Sequence, residues 1–156
     1  MQLSESTKEI LKNFSEINPN LMIKPGKELK TISTMKNILA TANVSEDFPQ
    51  DIAIYDLNEF LGAMSLFEDP DLTFSEKYVT IQEGSNSIKY FAADATVLTA
   101  PSKAITFPES DIDFKMTSAM LSMIQKTASV LRASDVAIVG DGSNMSVVVG
   151  DKKNAT

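Results

Sequence analysis

Asp51-Ile52-Ala53-Ile54-Tyr55-Asp56-Leu57-Asn58-Glu59-Phe60-Leu61-Gly62-Ala63-Met64-Ser65-Leu66 changes its hydrophobic period partway along. Residues 51–55 form a short apolar run, as a strand does. From Leu57 onward the apolar residues recur at helical spacing, and Leu57, Phe60, Leu61 and Met64 share one face. Asp56 is placed to cap this helix, and Glu59, three residues on, completes a capping box. The acidic, turn-rich Glu68-Asp69-Pro70-Asp71 closes it. A strand that runs straight into an amphipathic helix, set among other short strands, is an α+β pattern.

Toward the N-terminus, Ile10, Leu11, Phe14 and Ile17 predict a helix over about 4–17, capped by Ser4 or Ser6. Asn18-Pro19-Asn20 stops it, because proline and the residue before it both resist helix. Lys8 and Lys12 lie one turn apart on a polar face, roughly opposite the apolar stripe. Leu21–Lys24, a turn at Pro25-Gly26 and a return over Glu28–Ser33 read as a hairpin. For Ile38–Val44 helix and strand both stay open, since Ala and Leu favour one and Thr, Ile and Val the other.

Toward the C-terminus, Leu72–Phe74, Lys77–Glu83 and Ser87–Ala92 are strands, with Gly84-Ser85-Asn86 as a hairpin loop. Val97–Pro108 reads as an extended connector, and it divides a first domain, 1–108, from a second region, 109–156. In that second region Asp111-Ile112-Asp113 is placed to cap a helix over Phe114–Leu131. Its apolar face is Met116, Met120, Leu121, Met123, Ile124, Val130 and Leu131. Lys115, Ser118, Ser122, Gln125, Lys126 and Ser129 fill the opposite arc, and no acid occurs between Asp113 and Asp135. A hairpin follows, Val136–Val139 and Met145–Val149 around Gly140–Asn144. Helix with two lysines, then hairpin, thus occurs twice. A helix and hairpin alone are small for an independent core, so the second domain is expected to be incomplete here or completed by another chain.

The 156 residues include no cysteine and no histidine. Disulfides and thiolate metal sites are excluded, and the commonest general base and metal ligand are missing. A carboxylate-based hydrolase in the acidic segment is the enzymatic reading left, but those acids fall at turns, caps and exposed helix positions with no evident pocket to raise a pKa. No run is apolar enough to span a membrane, and the N-terminal residues do not read as a secretory signal. The net charge of −7 is bipolar: residues 1–36 and 114–156 each carry +2, whereas 46–76 hold nine acids and no base. Simple adhesion to nucleic acid is disfavoured by the total, not by the two basic ends.

Several stretches resemble the sliding clamps of tailed phages: Leu11-Lys12-Asn13-Phe14, the whole of Asp51–Leu66, Ala92-Ala93-Asp94, and Ala100-Pro101-Ser102-Lys103-Ala104-Ile105-Thr106-Phe107-Pro108. The likeness continues weakly from Lys126 to Gly150, and family members run on for a further helix and several strands. The resemblance implies the DNA-clamp fold, with helices on one face of antiparallel sheets, as one complete clamp domain plus a partial second one. It implies a ring, usually a homotrimer, through which duplex DNA threads and which tethers the replicative polymerase in the cytoplasm of an infected bacterial host. Implied partners are that polymerase, a clamp loader and the late-transcription machinery; no covalent chemistry, cofactor, metal or membrane is implied. Lys8, Lys12, Lys115 and Lys126 then fall on hole-lining helices, with Arg132 just after the second. Lysine is a flexible point charge suited to loose, sequence-blind phosphate contact. Leu98, Ile105 and Phe107 of the connector become candidates for the groove that takes partner peptides. The alternative is a clamp-like protein–protein adaptor that does not close a ring.

Overall fold

The computed structural model describes residues 1–101, 109–110 and 113–151, and the chain divides into two compact units, Met1–Ile105 and Thr106–Thr156.

The first unit begins with α1 (Glu5–Ile17), whose N-cap Ser4 accepts from the Thr7 amide and whose C-cap is Asn18. Four strands follow: β1 (Leu21–Ile23), β2 (Gly26–Ile32), β3 (Leu39–Phe48) and β4 (Ile52–Ile54). Helix α2 (Leu57–Met64) is capped as its sequence predicts, with the Asp56 carboxylate accepting from the amides of Asn58 and Glu59. Strands β5 (Asp71–Phe74), β6 (Tyr78–Glu83) and β7 (Asn86–Phe91) form an antiparallel meander. A 3-10 turn, Ala95–Val97, closes the described part of the unit.

Two expectations change. The run after Ile38 is a strand of 10 residues, β3; its place beside β2 settles what its composition leaves open. The predicted hairpin across Pro25-Gly26 does not form a ladder. Instead β1 pairs with β4, and β2 pairs with β3. Gly26, at φ +108°, takes a backbone conformation that costs glycine little, and there the chain leaves one ladder for the next.

The pairing also discloses a duplication inside this unit. An N-terminal segment, α1 and β1 to β3 form one half; β4, α2 and β5 to β7 form the other. The halves exchange their leading segments. Met1 exchanges backbone bonds with Leu72 of β5, at 2.8 and 3.0 Å, while β4 pairs with β1. Between them lies one apolar core that includes Leu11, Leu29, Ile54, Leu57, Phe60 and Ile81, each 0–1% exposed. Burial of side chains this large stabilises by roughly 1.5–3 kcal/mol each.

The second unit contains α3 (Ser118–Leu131) and the hairpin β8 (Asp135–Gly140) and β9 (Met145–Gly150). Helix α3 begins later than predicted. Its N-cap is Thr117, whose hydroxyl accepts from the Met120 amide at 3.2 Å, so Asp113 is not the cap and Phe114 to Met116 precede the helix. Asp111 and Ile112 lie outside the described residues. None of the residues of α3, β8 or β9 is buried. Met123 and Val130 are 71% and 81% exposed, so the stripe that marked a core face is largely uncovered among the described residues.

Candidate nucleic-acid interface

The candidate cations occupy unlike settings. On α1 the buried stripe is Thr7, Leu11 and Phe14. At about 100° per residue the positions opposite it are Glu9 and Glu16, with Glu5 beside them. Lys12 and then Lys8 fall progressively toward the flank. There, with Glu5 and Glu9, they line an open groove of about 580 Å3 against Asn58, Leu61 and Gly62 of α2. Lys8 is half-buried, and its Nζ pairs with Glu5 Oε1 at 2.8 Å. Lys12 is exposed.

On α3 the side of Met120, Met123, Ile124 and Thr127 faces Met145, Val147 and Val149 of β9 across an apolar groove of about 410 Å3. Lys126 is exposed on the far arc with Ser118, Ser122, Gln125 and Ser129, also exposed. Arg132 is the C-cap of α3, in left-handed conformation at φ 51°. Lys115, also exposed, lies ahead of the helix and not on it. None of the ion pairs among the described residues involves Lys12, Lys115, Lys126 or Arg132.

Of the connector candidates, Leu98 is half-buried and caps the 3-10 turn. Ile105 and Phe107 lie outside the described residues. Sequence reasoning missed the residues that hold the start of this connector. Asn18, fully buried, donates from Nδ2 to the carbonyls of Ile32 at 2.7 Å and Thr99 at 2.8 Å. Asn20 accepts from the Thr99 amide at 3.1 Å and donates to the Tyr55 carbonyl at 2.6 Å. Both backbone polar groups of Thr99 are therefore taken up by one Asn-Pro-Asn segment. The signal was visible as a helix stop, but nothing in it names a partner some 80 residues away. Beyond Thr99, Ala100 and Pro101 border a small groove of about 160 Å3 with Met22, Lys24 and Lys30.

Several acids have structural partners, Asp51 with Lys24 and the Asp56 cap of α2 among them. Glu46 of β3 accepts from the Ser4 amide and the Thr7 hydroxyl. Partial burial pushes its carboxyl up, but these bonds outweigh it and hold the pKa down at about 2. Asp94 and Asp141 lie below the usual carboxylate range, Asp94 through the Thr96 amide and Asp141 through the amides of Asn144 and Ser143. Among the described residues no group of acids is gathered as a metal site, and no helix is long and apolar enough to cross a membrane.

Residues 4–107 match the family described as DNA polymerase processivity factor. The chain is similar to the sliding clamp of Vibrio phage KVP40, 29% identical over 153 residues that make up 96% of this chain and 69% of that protein. It is 34% identical over 140 residues to the sliding clamp of Enterobacteria phage T4, which covers 88% of this chain and 61% of the relative. The sliding clamp of Escherichia phage RB69 is 30% identical over the same shares. This chain thus spans between 61% and 69% of the length of these relatives.

Proposed function

This chain belongs to the DNA polymerase processivity factor family, and on that premise we propose that it works as a sliding clamp, closing with further copies into a ring around duplex DNA. The observation that carries this reading is that each unit, taken by itself, sets a lysine-bearing helix beside antiparallel strands, within a chain of this family. The proposed DNA-facing groups are Lys8, Lys12, Lys115, Lys126 and Arg132; flexible cations of this kind neutralise phosphates without reading bases. The proposed ring is a trimer that tethers the replicative polymerase in the cytoplasm of an infected bacterial host. It is set on DNA by a clamp loader, serves late transcription as a second client, and does no covalent chemistry of its own. Leu98, Ile105 and Phe107 are the proposed contacts for partner peptides.

The test is retention. Protein loaded on nicked circular duplex is expected to stay bound through a high-salt wash and to leave when the circle is cut. Equal retention on circular and linear DNA would sink the proposal. The alternative, a clamp-like protein–protein adaptor that does not close a ring, would be supported by a defined non-ring oligomer in sedimentation with no topological retention.

A further inference from the structure

We infer that Asn18 and Asn20 are positioning residues for partner binding, because by holding Thr99 they fix how the Leu98 side chain is presented; this rests on the reading above, in which Leu98 contacts partner peptides. The hydrogen bonds of residues 94–98 stay within their own turn. The Asp94 carboxylate accepts from Thr96, Val97 donates to the Asp94 carbonyl at 3.1 Å, and Leu98 donates to the Ala95 carbonyl at 3.3 Å. The next two peptide groups are held from far away in the chain. The Thr99 amide, which belongs to the peptide after Leu98, donates to Asn20 Oδ1, and the Thr99 carbonyl accepts from Asn18 Nδ2. Leu98, at φ −85° and ψ 141°, therefore has a held peptide on each side. Two soft dihedrals join those planes, so fixing both planes fixes the direction of Cβ between them.

The Asn18-Pro19-Asn20 corner can set this direction because it is tied to both halves of the unit. The Asn18 amide donates to the Phe14 carbonyl at the end of α1, at 2.9 Å, and the Pro19 carbonyl accepts from the Leu57 amide of α2 at 2.8 Å. Asn18 Nδ2 also reaches Ile32, the last residue of β2, and Asn20 Nδ2 reaches the Tyr55 carbonyl beyond β4. An amide suits the buried position. Its NH2 group offers two donors to two carbonyls, whereas a leucine or an ionised aspartate offers none. Where Thr99 is released, a partner has to order the backbone of Leu98 and Thr99 as it binds. Ordering one residue's backbone lowers affinity roughly tenfold. The corner removes that cost in advance, without a contact to the partner from buried Asn18.

The experiment has two readouts on the full chain. The chain has no cysteine, so Val97→Cys gives a single thiol for a nitroxide label beside Leu98. Adding Asn20→Ala, which removes the acceptor for the Thr99 amide and leaves buried Asn18 in place, is expected to sharpen the spectrum of the label. Without the label, Asn20→Ala is expected to weaken binding of the purified replicative polymerase encoded with this chain about tenfold. Asn20→Asp keeps an acceptor for that amide and is expected to recover most of the affinity. Tyr90→Phe is the control for stability alone. It loses a bond at the join of α2 and β7 but leaves Thr99 held, and it is expected to change polymerase affinity by no more than about twofold, because a chain destabilised that little stays folded. Equal losses from Asn20→Ala and Tyr90→Phe, equal losses from Asn20→Ala and Asn20→Asp, or an unmoved spectrum would overturn the inference. Leu98→Ala separates it from the reading beneath it. If Leu98→Ala leaves polymerase binding unchanged, the assignment of Leu98 as a partner contact fails and takes the inference with it; if Leu98→Ala weakens binding and Asn20→Ala does not, the inference alone fails.

Discussion

The side-chain amide of Asn18, fully buried at the end of α1, donates to the carbonyl of Thr99 at 2.8 Å. The same Nδ2 satisfies Ile32 of β2, and Oδ1 accepts from the Asn20 amide at 2.9 Å. One side chain therefore joins the helix end, a strand end and the start of the connector. Asn18→Leu removes these bonds and leaves two carbonyls without their donor in a buried place. The expected loss is about 2–4 kcal/mol, read as a lower midpoint in urea unfolding. A shift under about 0.5 kcal/mol would mean that the latch contributes nothing.

Glu46 makes the stability of this unit pH-dependent. Its carboxyl is held at about 2 in the folded chain against an ordinary 4.5. A lowered folded pKa means that the stabilisation is complete above about 4.5 and disappears as pH falls through about 2. Glu46→Gln is expected to cost about 1 kcal/mol at neutral pH, a figure reduced for solvent screening of a partly exposed group. The gap between the two proteins should narrow between pH 4.5 and 2. A gap that holds constant to pH 2 would show that the charge is not its source.

Tyr90 tests the join between α2 and β7. Its hydroxyl donates to the Asp56 carbonyl at 3.1 Å and accepts from the Asp56 amide at 3.3 Å, while its ring meets Phe60 edge-on at 5.2 Å. Tyr90→Phe keeps the ring contact and is expected to cost about 0.5–1.5 kcal/mol. Phe60→Ala empties a site 1% exposed and is expected to cost about 3–5 kcal/mol. Denaturant midpoints that put the two changes in the reverse order would contradict this packing.

The two units should differ in hydrogen exchange. With none of α3, β8 or β9 buried, their amides are expected to exchange well before those of α1 and β6, whose opening exposes the apolar core. The exposed apolar side chains of that unit should also bind a hydrophobic dye, and Met123→Lys should lower the signal. Equal protection in the two units would show that something covers those faces in solution.

Local features were readable before the fold. The α2 cap at Asp56 and the stop at Asn18-Pro19-Asn20 act within a few residues, so their chemistry is written in adjacent letters. The β6–β7 hairpin formed as its loop residues predict. The start of α3 was misplaced because Asp113 and Thr117 are both good caps, and a propensity of about 1 kcal/mol does not choose between them.

Sequence by itself settled the α+β class, the two lysine-bearing helices, the acidic middle and the absence of histidine and cysteine chemistry. Tertiary structure decided that β1 pairs with β4 and not β2, that Asn18 reaches Thr99, and that Glu46 of β3 takes up Ser4 and Thr7 at the start of α1. The physical reason is range. Periodicity and capping are local, whereas strand pairing and the field around a charge depend on which distant residues the fold brings within a few ångströms.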